Sequence, residues 1–261
     1  MPLIEHHHAS LYYEVYGSGY PVVFVHGGGG NTLAWFQQVP YFDRRYKVIT
    51  VDLRGFKHSR CPSDVAHPQH FADDMRAILD AEGLPHAAFV CQSLGAWAGL
   101  RLAVRSPQRV SSLFINGSPT PAYSAQNWSV MVRANGIFMG GKFTRESGIG
   151  WNRRTLRDRP ELVFLYNQIK SLNPPFNSGT MMDDSIKLQP ADLVGYRIPT
   201  VVCGGQHDDF LNPQSHFHSA SLIPGAQAYT FSDAGHSAYF ETPDEFNDVL
   251  EKFLQQHVPT H

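Results

Sequence analysis

Ser93 stands in the run Cys91-Gln92-Ser93-Leu94-Gly95, after the apolar stretch 87–91 and before the helical pattern Leu94, Ala96, Trp97, Leu100. A serine on a sharp strand-to-helix turn presents its hydroxyl as a nucleophile, and the pattern for that turn is G-x-S-x-G. The turn strains the serine backbone and asks for small residues two positions to either side. Gly95 meets that requirement, while Cys91 puts a larger but still compact residue where the first glycine is expected. The competing role for such a serine is a helix N-cap. Catalysis would also need a base to take the hydroxyl proton and a carboxylate to orient that base. Downstream, Val201-Val202-Cys203-Gly204-Gly205-Gln206-His207-Asp208-Asp209 runs from a strand into a turn with acids at its end. Later, Phe231-Ser232-Asp233-Ala234-Gly235-His236-Ser237 places a histidine on a loop before the last helix. Upstream, Phe24-Val25-His26-Gly27-Gly28-Gly29-Gly30 ends a strand in glycines, whose N–H groups are free to face an oxyanion. Nucleophile, base, acid and oxyanion donors together would carry out acyl transfer.

These residues depend on the elements that hold them. Apolar runs of strand length occur at 11–16, 21–25, 47–51, 87–91, 110–115 and 200–203. Several are continuous rather than alternating, as expected of strands buried on both faces of a parallel sheet. Phe71, Met75, Ile78 and Leu79 mark a helical face between them. The last helix has a predicted capping-box start at Thr242-Pro243-Asp244-Glu245 and a stripe of Phe246, Val249, Leu250, Phe253 and Leu254. Alternating strands and helices predict an α/β fold, a mostly parallel sheet flanked by helices. Residues 121–190 break the alternation. They hold no strand-like run, scatter Trp128, Met131, Phe138, Phe143 and Trp151, and predict a helix opening at Pro160 with Leu162, Leu165, Tyr166, Ile169 and Leu172. With nine Lys/Arg against five Asp/Glu, the stretch is net +4 in a chain of net −2, leaving the rest at −6. It reads as a mainly helical insertion over the sheet edge, between core parts 1–120 and 191–261.

Composition narrows the classes. With 261 residues and 42% hydrophobic side chains, the chain can build a sizeable core. A net charge of −2 offers no field for nucleic acid or membranes. Cys61, Cys91 and Cys203 are too few and too scattered for a disulfide framework, favouring a reducing compartment. With no basic-then-apolar leader and no apolar run of membrane length, a cytoplasmic protein is expected. His6-His7-His8 and His216/His218 lack accompanying acid or Cys spacing, so they are read as loop histidines and no metal is expected. The glycine run lacks the Lys-Ser/Thr of a phosphate loop. Cys91 and Cys203 read as buried packing residues.

Taken in order, HGGGG at 26–30, DLRGFKHS at 52–59, CQSLG at 91–95, GQHD at 205–208 and AGHS at 234–237 resemble the α/β-hydrolase fold superfamily over essentially the whole chain. The resemblance implies Ser93 as nucleophile, His236 as base, and backbone N–H groups of Gly28 and Leu94 as the oxyanion hole. It implies Asp208 as the acid, from the G-x-x-D turn begun at Gly205, with Asp209 the near alternative because Pro213 lies four residues beyond it. It gives His26 a role in supporting the loop, and Asp52 and Arg54 one in fixing another.

The serine disfavours the epoxide hydrolase and dehalogenase chemistries that use Asp in its place. The resemblance therefore implies hydrolysis of a small carboxylic ester or lactone with no cofactor. It also extends to meta-cleavage product hydrolases, which break a C–C bond in vinylogous diketones, although these usually carry Trp where Ser237 follows the histidine. Within the insertion, Arg145, Arg153, Arg154 or Arg157 would be the group to pair with a substrate carboxylate, against the commoner role of a solvated helix face. Receptors and lyases on the same fold keep a non-hydrolase reading open. The expected partner is a small ester, lactone or diketone, with oligomeric state left open.

Overall fold

The computed structural model describes residues 2–142 and 147–258. Its strands are β1 Leu3–His6, β2 Ala9–Tyr16, β3 Tyr20–Val25, β4 Tyr46–Val51, β5 Ala87–Gln92, β6 Val110–Asn116, β7 Thr200–Gly205 and β8 Gln227–Phe231. They form one sheet in the order β1-β2-β4-β3-β5-β6-β7-β8. The β1–β2 and β2–β4 pairings are antiparallel and all others parallel. Side chains alternate between faces. Val23, Val25, Ile49, Val51, Phe89 and Cys91 pack against α2 Phe71–Ala81 and α3 Ala96–Arg105, reached after the short α1 Val39–Phe42. Val22, Phe24, Val48, Ala88 and Val90 form the opposite core. Both faces are covered, which is why the central strands read as unbroken apolar runs.

Register places the candidate residues together. Val25 pairs with Cys91, Cys91 with Ile115 and Ile115 with Val202, so β3, β5, β6 and β7 end at one level. Strand order reverses beside β3, whose neighbours are β4 and β5. Such a switch point opens a crevice beyond the carboxyl ends of the strands, and the loops carrying Gly28 and Ser93 flank it.

Between β6 and β7 the chain leaves the sheet for α4 Ala125–Met139, α5 Arg153–Asp158 and α6 Pro160–Ser171. Among the described residues this excursion holds no named strand, only an isolated bridge between Ala122 and Leu188. Phe143 and Arg145 lie outside the described residues. The α6 face that buries is Leu162, Val163, Tyr166 and Ile169, while Leu172, just past the helix, is exposed. Trp151 and Tyr166 meet edge-on at 5.3 Å, and both touch Phe240 of α8 Ala238–Glu241, which follows α7 Ser215–Ser221.

Two expectations need correction. The last helix, α9 Pro243–His257, starts where predicted but without a capping box. α8 ends immediately before it, so the Thr242 hydroxyl donates back to Ala238 O, and Glu245 accepts from Tyr229. The strand pattern also omitted β1 and β8. Both are sheet edges with half-exposed, mixed sequences, so neither carries an apolar run. Among the described residues no helix is long and apolar enough to cross a membrane.

Candidate active site

Ser93 follows β5 with φ +48°, in the left-handed region that side chains with a Cβ avoid. It is not an N-cap: a single 3-10 turn starts on Ser93 itself, and α3 follows with Gly95 at its cap position. Packing around the turn holds the strain. A Cβ on Gly95 would lie 2.5 Å from Val25 O and 2.9 Å from His26 O, and one on Gly27 would lie 1.9 Å from the Gln92 side-chain oxygen. The departure at Cys91 is accommodated one helical layer away. Its Sγ lies 2.5 Å from the point where a Gly99 Cβ would sit, so the glycine facing the sulfur makes the room. Burial pushes the Cys91 thiol well above its ordinary range and keeps it inert.

The loop after β3 is fixed from both ends. His26 is fully buried; its Nε2 accepts the Leu53 N–H at 2.9 Å, which leaves Nδ1 to donate to Gly27 O at 2.7 Å. Asp52 accepts the Thr32 and His58 N–H groups, and Arg54 forms a buried pair with Asp74, as expected of loop-fixing residues. A Cβ on Gly28 would meet nothing nearer than the Phe138 ring at 3.9 Å, so this stretch of backbone opens to the crevice. Gly29 packs under Tyr166, whose hydroxyl lies 2.5 Å from a built Cβ.

Burial pulls the His26 pKa down to about 4 from 6.5. A folded-state pKa below the unfolded one contributes stability that is present above about 6.5 and lost as pH falls towards 4. His26→Gln should therefore flatten that part of the stability profile, losing about 1–3 kcal/mol less than wild type between pH 7 and 4.5. Urea unfolding at a series of pH values measures this; parallel profiles would show that His26 is not a buried neutral histidine.

Asp208 and His236 meet from two loops. His236 Nδ1 lies 2.8 Å from Asp208 Oδ2, with both side chains buried, and the second Asp208 oxygen accepts the Leu211 N–H at 3.0 Å. Asp209 points elsewhere, its Oδ1 accepting the Gly150 N–H at 2.6 Å from the helical excursion. The loops themselves touch: His207 N–H donates to Ala234 O at 2.9 Å, and a Cβ on Gly205 would overlap Gly235 O. The Phe210 ring stands edge-on to His236 at 4.9 Å.

Ser93, His236, Gly28 and Leu94 line one cavity of about 640 Å³ including its mouth. The walls are Trp97 from α3, Met131 and Phe138 from α4, Phe176 and Met181 beyond α6, and Phe210. No Lys, Arg, Asp or Glu lines it among the described residues. Arg154 pairs with Asp233 and Arg157 with Asp158, each at 2.7 Å, while Arg153 is exposed at the start of α5. The Lys170 ammonium sits over the Phe138 ring at 5.7 Å. His7 and His8 form the β1–β2 turn, but the others correct the expectation of exposed loop histidines: His6 ends β1, and on α7 His218 bonds Ser124 and buried His216 bonds Thr230. Among the described residues no three His, Cys, Asp or Glu side chains gather as a metal site.

Sequence reasoning missed two buried residues beside the site. Tyr166 was read only as helix stripe, yet it reaches over Gly29 into the cavity. Glu241 carried no motif, yet its carboxylate accepts the N–H groups of Gly235 and Asn152. No spacing or periodicity in the sequence singles it out.

Comparison with known proteins agrees with this architecture. The model of the alpha/beta hydrolase fold family matches residues 20–243. A 2-hydroxymuconate semialdehyde hydrolase of Pseudomonas putida is 26% identical over 259 residues, covering 94% of this chain and 90% of that protein. Carboxylesterase YbfK of Bacillus subtilis (strain 168) is 26% identical over 243 residues, covering 89% and 79%. Among solved structures, Est816, described as an N-acyl homoserine lactone degrading enzyme, matches with a TM-score of 0.82 at 28% identity, covering 97% of this chain and 100% of its own. The family match spans most of the sequence and all four loops that gather at the crevice, and the chain belongs to the α/β-hydrolase fold family.

Proposed function

We propose that this protein is a serine hydrolase that cleaves small, uncharged carboxylic esters or lactones through an acyl-enzyme on Ser93, His236 and Asp208. The observation that carries the reading is the 2.8 Å contact between His236 Nδ1 and Asp208, in a cavity shared with a serine held at φ +48°. Asp208 fixes the proton on Nδ1, leaving Nε2 to accept the Ser93 proton as Oγ attacks the carbonyl. The N–H groups of Gly28 and Leu94 receive the developing oxyanion, each worth about 3 kcal/mol at the transition state. On collapse, Nε2 returns the proton to the departing alkoxide, which in a lactone stays tethered to the acyl group. Water, deprotonated by His236, then releases the acid and restores Ser93. The helical excursion serves as the cap, and its apolar wall selects the acyl chain.

A C–C hydrolase is the second reading, favoured by the muconate hydrolase relative. A muconate carries a carboxylate, and no cationic side chain lines this cavity among the described residues to receive one. Desolvating that charge without a partner costs several kcal/mol.

Fluorophosphonate labelling followed by intact mass, beside turnover of p-nitrophenyl butyrate, γ-lactones and a muconate semialdehyde, tests the proposal. One label per chain with repeated turnover of the neutral substrates is expected. Preferred cleavage of the muconate would favour the C–C reading, and labelling without turnover would point to a receptor.

A further inference from the structure

Two stretches of backbone from different parts of the chain lie against each other beside His236. The His236 N–H donates to Gly150 O at 2.7 Å, and a Cβ on Gly235 would lie 2.5 Å from Gly150 O and 2.8 Å from Asn152 N. The Glu241 carboxylate closes this joint. Oε1 accepts the Gly235 N–H at 3.0 Å and Oε2 accepts the Asn152 N–H at 2.9 Å, with the Thr155 hydroxyl and the Ser237 N–H close by. Around it, Asn152 Nδ2 donates to Asp233 O at 2.8 Å, and Gly150 N–H reaches Asp209. The excursion is thus fastened to both loops that carry the proposed acid and base.

We propose that Glu241 is a positioning residue: by bridging the cap backbone at Asn152 to the histidine loop at Gly235, its carboxylate holds His236 in register with Ser93 and the cap over the cavity. The inference rests on the reading of His236 as the base. An ionised carboxylate is suited to this place because it only accepts, giving each of the two backbone N–H groups its own oxygen. Glutamine is nearly isosteric but presents an NH₂ to one of the two backbone N–H groups, leaving that buried donor unpaired. The arm released would free either the cap or the histidine loop.

The joint also has a pH signature. Burial raises the Glu241 pKa to about 7, against the pull of the polar groups around it. The titratable groups facing it are Tyr166 of α6 and Tyr239 of its own turn, while Asp233 and Arg154 form an exposed pair beyond Asn152. None of these places a cation against the carboxylate. With a pKa of about 7 in the closed joint against 4.5 for a free carboxyl, closure is firmest below about 4.5 and loses part of its stability as pH rises to about 7. Above that, the ionised carboxylate holds the joint through the Gly235 and Asn152 N–H groups alone.

Hydrogen exchange of the full chain, followed in peptides spanning 148–156 and 233–238, reads the joint directly, and ester kinetics read its effect on chemistry. For Glu241→Gln we expect faster exchange in both peptides and kcat lower by about ten- to a hundredfold, the scale of a 1 Å misplacement, with KM changed less. In wild type, protection corrected for intrinsic exchange should fall between about pH 5 and 7 and level off above, and in Glu241→Gln that dependence should vanish. A kcat within twofold of wild type overturns the proposal, as does a lower kcat with unchanged exchange. A flat wild-type pH series overturns it even if the variant fails to fold. Absence of labelling on wild-type Ser93 would instead remove the reading of His236, while the exchange data still report on the joint.

Discussion

Ser93→Ala is expected to lower kcat for a short p-nitrophenyl ester by about 10⁴- to 10⁶-fold and to abolish fluorophosphonate labelling, since the remaining groups of such a set do little without the nucleophile. Substrate affinity should hold, because the walls are Trp97, Met131, Phe138, Phe176, Met181 and Phe210 and the serine adds only a hydroxyl. A second substitution separates chemistry from strain. Ser93→Gly should be equally inactive but more stable than Ser93→Ala by about 1 kcal/mol, because glycine adopts φ +48° without steric cost. Activity in Ser93→Ala near wild type would dismiss Ser93 as nucleophile. Equal melting temperatures for the two variants would show that the turn is not strained.

Asp208→Asn should cost about 10⁴ in kcat with little change in fold. An asparagine amide facing His236 would donate to Nδ1 and leave the ring proton on Nε2, where it blocks acceptance of the Ser93 proton. Asp209→Asn should stay within about tenfold, since its carboxylate meets the Gly150 N–H rather than the histidine. Steady-state kinetics on the two variants side by side decide between neighbouring acids that one-dimensional spacing leaves ambiguous. A larger loss in Asp209→Asn would reverse the assignment.

What could be read from residues alone follows from where the physics is local. The central strands announce themselves because burial on both faces forces continuous apolar runs, and the motif residues lie at their ends. The edge strands β1 and β8 do not, because half of each faces solvent. The choice of Asp208 over Asp209 needed the direction of two side chains, and spacing does not encode direction. For the basic cluster of the excursion, composition left a substrate-pairing arginine open against the commoner solvated face; Arg153, Arg154 and Arg157 are exposed, the last two paired with Asp233 and Asp158, and Arg145 lies outside the described residues. Glu241 escaped notice because its role rests on bridging to Asn152, 89 residues away in the chain. The capping box at Thr242 misled because a preceding helical turn competes for the same hydroxyl.

The sulfur of Cys91 lodged in the gap left by Gly99 turns a rule about letters into one about volume. Strand and helix approach so closely behind the serine that the contact holds one small side chain and not two. Here the helix supplies the hydrogen: a Cβ at position 99 would meet both the Cys91 sulfur at 2.5 Å and Leu113 Cδ1 at 2.7 Å. Positions 91 and 99 therefore form a coupled pair whose substitutions are not additive. A search that demands glycine before the serine will pass over a chain of this kind.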